Sequence, residues 1–288
     1  MADMTQAFAD SDIVFARGQS NAPFPPLAFL NTSSYSDAEV KSDSRSLDIS
    51  YNLDTYSGMA VAPYLIGSKD AVFGGLYASH SDFEVDAGLT KDFTVNTVGI
   101  PIGWLRQINN DWQLGAFFMP MGHDSSLEGS DWTWQYLGGA FGRYVQNDNL
   151  WWVFGLYVDI APEEDFVIPY VGASWAINER WTLSAVMPWP AVLYAPTPQW
   201  LVRLGMSPSG ASWSVSDDQR DVAINLDAWD FGLTVERRVK ANFWASIEAG
   251  WGGLRGLRVN GSKLEGADFD IGSSAYISLD FTFRPSMN

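Results

Sequence analysis

Residues 268–284 read DFDIGSSAYISLDFTFR, and the spacing of their apolar side chains decides the fold class. The apolar residues occupy alternate positions, interrupted once by Ser273: Phe269, Ile271, Ala275, Ile277, Leu279, Phe281 and Phe283. Since successive side chains of a strand point to opposite faces, one face of this segment is apolar and the other is polar. The alternation continues for about 16 residues, whereas a soluble strand usually has about five or six. A tilted strand that crosses a bilayer needs roughly 9–11 residues in the hydrocarbon.

The same alternation recurs in residues 112–118, 150–158 and 243–251. Turn signals separate about twelve such strands between Ala71 and Arg284, and a hairpin at residues 47–66 would raise the number to about fourteen. We therefore predict an all-β fold, an antiparallel transmembrane β-barrel of the outer-membrane type. Its rival is a soluble β-sandwich that binds glycans through exposed tryptophans.

The composition is compatible with a barrel and excludes several other classes. Mean hydropathy is −0.07, which fits strands in which only every second residue faces lipid. The 34 acidic residues outnumber the 17 basic ones, and this balance opposes a nucleic-acid partner. The absence of cysteine excludes disulfides, zinc–thiolate sites and cysteine nucleophiles. No metal-ligand or phosphate-binding motif stands out, so we predict no metal and no cofactor.

The connections between predicted strands alternate in length. Short turns are predicted at residues 107–110, 146–149, 178–179, 196–199 and 240–242, and longer loops at 81–92, 122–130, 162–165, 208–221 and 255–267. In outer-membrane barrels the short turns face the periplasm and the long loops face the cell exterior, and we expect the same here.

The first part of the chain differs from the rest. Residues 1–43 contain proline and serine clusters, and we interpret them as an irregular N-terminal segment, either a periplasmic extension or a plug. Residues 44–288 are predicted to form a single barrel. The chain start lacks the charged and apolar regions of a signal peptide, so we expect a mature exported chain with an added start.

Tryptophan is abundant, and its placement follows the predicted short turns. Eight of the 14 tryptophans lie beside these turns: Trp104, Trp112, Trp151, Trp152, Trp175, Trp181, Trp200 and Trp244. An indole ring favours apolar contact while its N–H favours water, so tryptophan prefers a membrane interface. We predict that these eight residues form an aromatic girdle at the periplasmic interface, rather than capping the core of a soluble sandwich.

Residues 177–200 carry a family resemblance. They contain Ile177-Asn178-Glu179-Arg180-Trp181-Thr182-Leu183, then Met187-Pro188-Trp189-Pro190, Leu193-Tyr194-Ala195-Pro196 and Gln199-Trp200. This series resembles a family of proteobacterial outer-membrane β-barrels without an assigned function. In that family a turn and W-x-L lead into a P-x-P corner, an aliphatic–Tyr–x–Pro segment and a second Trp. The resemblance implies the fold and an outer-membrane location, and it implies no activity.

Two histidines are the candidates for catalysis. His80 and His123 are predicted near the long-loop ends of strands, and His123-Asp124-Ser125 resembles the His-x-Ser element of some outer-membrane lipid hydrolases. A histidine activates a serine only within hydrogen-bond reach and when a third group orients it, and adjacent loop residues rarely meet that geometry. We therefore interpret both histidines as solvated loop residues and predict no catalytic residues.

Four charged residues have the parity of the lumen face: Glu248, Asp270, Asp280 and Arg203. We expect them to form salt bridges across the interior rather than to line a conducting path. Fixed charge in a pore favours ions of opposite sign, so if a pore exists, the excess of acid predicts a narrow porin-like channel for cations or small polar solutes. The alternative is a non-conducting structural or partner-binding barrel, and a lipid hydrolase is a further alternative. Expected partners are outer-membrane lipid and lipopolysaccharide, small polar solutes or another envelope protein.

Overall fold

The computed structural model describes residues 11–13, 20–42, 47–85, 91–161, 164–187, 189–217, 220–260 and 270–285. The first eight strands in chain order are β1 (Ala28–Ser42), β2 (Leu47–Ile66), β3 (Asp70–Val85), β4 (Phe93–Gly99), β5 (Ile102–Gln107), β6 (Trp112–Ser125), β7 (Thr133–Asn147) and β8 (Leu150–Ala161). The other eight are β9 (Glu164–Ala176), β10 (Trp181–Ser184), β11 (Ala191–Thr197), β12 (Trp200–Asp217), β13 (Arg220–Lys240), β14 (Phe243–Asn260), β15 (Asp270–Ile271) and β16 (Ser274–Phe283).

These segments form one closed antiparallel barrel of 14 strands. β4 and β5 act as a single strand with a break at Ile100–Pro101, because both pair with β3 on one side and with β6 on the other. β15 and β16 likewise share the neighbours β1 and β14. The barrel closes where β1 pairs with β16, from Ala28↔Phe283 to Ser36↔Ala275. The predicted all-β barrel is confirmed, and of the two strand numbers the larger is correct. Among the described residues no helix is long and apolar enough to cross a membrane.

The prediction that residues 1–43 are irregular is wrong for residues 28–42. These residues form β1, which pairs with β2 along most of its length and with β16 at the seam. The strand was missed because serine, threonine and asparagine occupy both of its faces, which removes the apolar alternation. Its position depends on pairing with β2, which follows it directly, and with β16, which is far away in sequence.

The two faces of the wall follow the predicted parity. In β16, Ile277 and Leu279 are about half exposed on the outside, whereas Tyr276, Ser278 and Thr282 are buried inside. The same holds elsewhere in the wall, where large apolar side chains such as Leu76, Val171 and Leu204 cover the exterior. An apolar outer surface around a polar interior is the arrangement of a membrane barrel, since in lipid the backbone must be satisfied within the wall.

Tight turns lie at one rim of the barrel, at residues 67–69, 108–111, 148–149, 177–180, 198–199 and 241–242. In three of them an asparagine side-chain oxygen accepts the N–H groups two and three residues later: Asn109, Asn147 and Asn178. This local bond competes with the strand ladder and holds the tight turn that follows each strand. At the other rim, the predicted loop 208–221 is wrong: β12 and β13 continue in register to Asp217↔Arg220.

One hairpin of the wall is much shorter than its neighbours. β10 and β11 have four and seven residues, and they are joined by residues 185–190, which contain the Pro-Trp-Pro link. The hairpin reaches only the level of Ala173 on β9 and Met206 on β12, where Ala185 and Pro190 make the last bonds. Beyond this level β9 pairs with β8 and β12 pairs with β13.

Aromatic side chains fill the lumen near the rim opposite the tight turns. Phe83 and Phe93 stack with ring centroids 4.6 Å apart, and Tyr51 lies 5.9 Å from Phe83. Leu53, Val95, Tyr35 and Tyr276 complete this outer cluster. Because protein interiors pack closely, such a cluster occupies lumen space that an open porin would leave to water.

Candidate functional site in the barrel lumen

A cavity of about 820 Å³ lies in the lumen beneath the outer cluster. Residues from most strands of the barrel line it, together with Trp189 of the Pro-Trp-Pro link. β12 narrows the lumen here, because its Cα atoms come within 8 Å of Cα atoms of β6, which lies nearly opposite in the ring. The site is therefore a chamber within the barrel rather than a straight wide pore.

One wall of the cavity is acidic, and Glu248 is at its centre. The Tyr276 hydroxyl donates to Glu248 Oε1 at 2.5 Å, the Thr234 hydroxyl donates to Oε2, and Arg203 Nη1 lies 3.7 Å from Oε2. Gly232 makes room for this group, since a Cβ at Gly232 would lie 2.2 Å from the Tyr276 hydroxyl oxygen. Any side chain at position 232 would therefore displace Tyr276 or Glu248.

Two further carboxylates continue the acidic wall. Asn31 Nδ2 donates to Asp280 Oδ1 at 2.6 Å, and the Tyr35 hydroxyl donates to Asp230 Oδ2 at 2.7 Å. Tyr35 stacks on Tyr276 with ring centroids 5.2 Å apart, so the two tyrosines hold Asp230 and Glu248 in one layer. Each phenolic hydroxyl is thus committed to a carboxylate as a donor.

The facing wall is apolar and polarizable. Met59, Met119, Met121 and Phe117 line it, together with Leu53, Leu137, Tyr77 and Tyr157. Phe117 and Tyr157 lie 6.3 Å apart in a tilted ring pair. Methionine side chains adapt to irregular shapes and contact aromatic rings favourably, so this wall suits a flat apolar body.

A chain of four polar side chains runs along the apolar side of the cavity, across β4, β6, β7 and β8. Thr97 Oγ1 lies 2.9 Å from His123 Nδ1, His123 Nε2 lies 3.0 Å from Gln135 Oε1, and Gln135 Nε2 donates to both oxygens of Asp159 at 2.8 and 3.0 Å. The interpretation of His123 as a solvated loop residue is therefore wrong, because it lies on β6 and is 3% exposed. His80 lies on β3, and its Nδ1 is 2.7 Å from Asn96 Oδ1.

The structure brings three of the four predicted lumen residues together. Arg203 and Glu248 form the ion pair described above, and Asp280 lines the same cavity. Asp270 lies in β15 opposite Lys41 and Gly256, and its side chain lies outside the described part of the chain. The sequence reasoning missed Asp230, Thr97, Gln135 and Asp159.

Six of the eight tryptophans predicted for the girdle are exposed on the outside near the tight turns: Trp104, Trp112, Trp152, Trp175, Trp181 and Trp200. Trp151 and Trp244 differ from the prediction, because neither ring lies on the outside of the barrel. The Arg143 guanidinium lies 4.9 Å from the Trp151 ring and donates to the buried Gln113, so this ring belongs to the interior. Trp244 is 4% exposed beneath Arg284. Neighbouring strand residues face opposite sides, so Trp151 and Trp152 cannot both reach lipid.

A polar layer lies below the cavity, at the tight-turn rim. Arg284 Nη2 lies 2.7 Å from Glu236 Oε2, and both side chains are about nine-tenths buried. The N-terminal segment meets this layer, since Arg284 Nη1 donates to the Phe24 carbonyl at 2.7 Å. Asn21 bonds to the Glu179 and Ala195 carbonyls, and Leu27 N–H donates to Phe283. Residues 21–27 thus join two separate parts of the rim, and we name them the strap.

Comparison with solved structures finds other outer-membrane barrels. The "TodX monoaromatic hydrocarbon channel deltaS2 mutant" is 9% identical, with 98% of this chain and 94% of that chain covered at a TM-score of 0.43. A Pseudomonas aeruginosa FadL homologue is 11% identical, with 89% and 90% covered at a TM-score of 0.45. Among curated proteins, none matches the chain.

An apolar exterior, outward tryptophans at the tight-turn rim and a closed even-stranded wall make this a protein of the cell outer membrane. The sequence profile of one protein family, described as Domain of unknown function (DUF6268), matches residues 28–284. That match begins with β1 and ends directly after β16, so it covers the whole barrel. The chain therefore belongs to the DUF6268 family, as its resemblance to outer-membrane barrels of unassigned function predicted.

Proposed function

We propose that this barrel is a narrow outer-membrane channel for small organic solutes that combine an apolar body with a cationic or hydrogen-bond-donating group. One observation carries the proposal: three carboxylates line the cavity opposite a methionine-rich and aromatic wall. They belong to Asp230, Glu248 and Asp280, and a fourth lining carboxylate, Asp159, lies on β8 beside Tyr157 of the apolar wall. Among the described lining residues there is no lysine or arginine.

The size of the cavity supports a solute chamber. Its volume of about 820 Å³ falls within the roughly 300–1,000 Å³ of ordinary small-molecule sites. A freely conducting pore needs more strands, since barrels of about 16–18 strands are the ones that leave an aqueous channel. The strap lies at one end of the chamber, and the outer cluster, whose Tyr35, Leu53 and Tyr276 line the chamber, lies toward the other end. This arrangement favours passage of single solutes over a steady ion current.

Charge supports the preference for cations or neutral donors. At an effective dielectric constant near 20, a carboxylate about 6 Å from a bound anion opposes it by about 3 kcal/mol. Among the side chains that the structure describes, the guanidinium that reaches this wall is that of Arg203, and it is already paired with Glu248. We therefore retain the predicted preference for cations or small polar solutes. The methionine-rich and aromatic wall indicates in addition that the solute has an apolar body.

Uptake into vesicles tests this function. Purified barrel in phosphatidylcholine vesicles should pass 2-phenylethylamine fastest, 2-phenylethanol next and phenylacetate slowest, because these solutes share one body and differ in charge. Vesicles that contain a Gly232→Leu barrel are the matched control, since that side chain would displace Tyr276 and Glu248. Equal rates for the amine and the carboxylate would overturn the proposal.

A non-conducting scaffold is the second candidate, and the strap and the outer cluster are the observations that favour it. A correctly folded barrel that passes none of the three solutes would support a scaffold that binds another envelope protein. A lipid hydrolase would instead release fatty acid from phospholipid and lose that activity in His123→Ala. Whichever of these functions the barrel has, we propose that the six outward tryptophans contact outer-membrane lipid and that the opposite rim meets lipopolysaccharide.

The strap offers a further prediction about the channel. Deletion of residues 1–26 should raise the planar-bilayer conductance several-fold, because it removes the backbone that joins Glu179 and Ala195 to Phe283 across the rim. Asn21→Ala, which removes the Asn21 Nδ2 bond to Ala195, should give a smaller rise. Unchanged conductance in the deletion variant would mean that the strap does not obstruct the path.

A further inference from the structure

We infer that Thr97, His123, Gln135 and Asp159 form a hydrogen-bond relay of fixed direction, which makes Thr97 an acceptor that selects solutes carrying an O–H or N–H donor. This inference deepens the proposed channel function and rests on it for the solute. The relay itself is a property of the folded barrel and can be measured without any transport.

The relay is built into the wall between β4 and β8. Thr97, His123 and Gln135 are each less than one-tenth exposed, and they come from three consecutive strands of the barrel. All four residues line the cavity. A buried polar chain whose hydrogen bonds are all between 2.8 and 3.0 Å long holds its members in one geometry.

The direction of the relay follows from its acidic end. The Asp159 carboxylate can only accept, so the Gln135 amide must turn its NH₂ toward Asp159 and its Oε1 toward His123. Oε1 can only accept, so His123 carries its proton on Nε2. Its Nδ1 is then an acceptor, and the Thr97 hydroxyl must donate to it. The Thr97 hydroxyl proton is therefore engaged by His123, and the lone pairs of Thr97 Oγ1 can accept a hydrogen bond from a solute in the cavity.

The hydrogen bonds of the acidic wall run in the same direction, from hydroxyl and amide donors to carboxylates. The hydroxyls of Tyr35 and Tyr276 donate to Asp230 and Glu248, and the Asn31 amide donates to Asp280. The protons of these groups therefore point toward carboxylates of the wall, so these groups, like Thr97, present acceptors to the cavity. A solute that offers a hydroxyl or amine proton satisfies them, whereas an ether or ketone leaves a buried acceptor unsatisfied, at a cost of about 1–3 kcal/mol.

Nitrogen-15 NMR of the histidine rings tests the direction. The chain has two histidines, so His80→Gln leaves His123 as the single reporter. In detergent micelles the ring should show one neutral tautomer with its proton on Nε2. In Asp159→Asn the new amide can donate as well as accept, so Gln135 is free to reverse and both tautomers should appear. A proton on Nδ1 in the His80→Gln barrel would overturn the inference.

Binding of a matched pair of solutes tests the selection. The barrel should bind 2-phenylethanol roughly tenfold more tightly than its methyl ether, and Thr97→Val should abolish most of that difference. Thr55→Val is the control, because Thr55 lines the same cavity and bonds to Ser81 outside the relay. A difference that Thr97→Val leaves intact would overturn the selection by Thr97. Binding is measured in micelles, so a barrel that binds as expected and passes no solute would contradict the channel alone.

Discussion

Arg284→Ala should lower the free energy of unfolding by about 3–5 kcal/mol, the loss expected when one member of a buried ion pair is removed. The substitution leaves Glu236 without the guanidinium that lies 2.7 Å from its Oε2, in a layer where both side chains are about nine-tenths buried. It also removes the donor to the Phe24 carbonyl and the cation above Trp244. Urea titration of the barrel in vesicles, followed by tryptophan fluorescence, measures the change.

Two variants separate the lost charge from the lost side chain. Arg284→Met with Glu236→Gln should recover much of the stability, because no uncompensated charge stays buried. Arg106→Ala is the matched single change, since Arg106 lies 3.7 Å from Asp70 and is half exposed. Exposed pairs contribute at most about 1 kcal/mol, so its effect should be small. Equal losses for Arg284→Ala and Arg106→Ala would show that burial of the pair does not matter.

The combined variant Asp230→Asn, Glu248→Gln and Asp280→Asn should reduce the uptake ratio of 2-phenylethylamine to phenylacetate at least a hundredfold. Even at about 8 Å and an effective dielectric constant near 40, each carboxylate attracts the ammonium group by about 1 kcal/mol and repels the solute carboxylate by about the same amount. The change also leaves Arg203 without its partner carboxylate, which shifts the lumen further toward anions. Competition between the two solutes in one vesicle preparation measures the ratio directly.

The matched control removes the same charge from the surface. Asp82→Asn, Glu84→Gln and Asp124→Asn change three carboxylates that are at least partly exposed. Salt screens exposed charges over about 8 Å at physiological ionic strength, so this control should leave the ratio nearly unchanged. If the surface variant altered the ratio as strongly as the lumen variant, net charge rather than the acidic wall would govern selection.

The wall of the barrel was predictable where its strands alternate strongly. β16 has one apolar and one polar face, and its period of two residues is readable without any neighbour. β1 has polar residues on both faces, so its position depends on β2 and β16 and cannot be read from its own sequence. Residues 208–221 contain turn-forming residues, yet most of them pair in register because both strands continue beyond the expected loop.

The lumen was predictable only in part. Parity identified Arg203, Glu248 and Asp280, because each lies in a strand whose other face is apolar. Trp244 has the parity of the lumen face, but its position beside a turn outweighed that signal, and the structure follows the parity. The relay joins β4, β6, β7 and β8, and no local pattern indicates which polar residues of separate strands meet. The shared lumen parity of Thr97, His123 and Gln135 was the signal available.

The seam between β1 and β16 has a consequence for biogenesis. Ala28 pairs with Phe283, so the last wall contact to form joins nearly opposite ends of the chain. Until β16 has been synthesised and delivered, β1 and β14 each present an open hydrogen-bonding edge, and exposed edges invite pairing with other chains. Closing so long a loop is also entropically slow. The nascent polypeptide therefore needs protection from aggregation throughout export, and closure must follow complete translocation rather than proceed strand by strand.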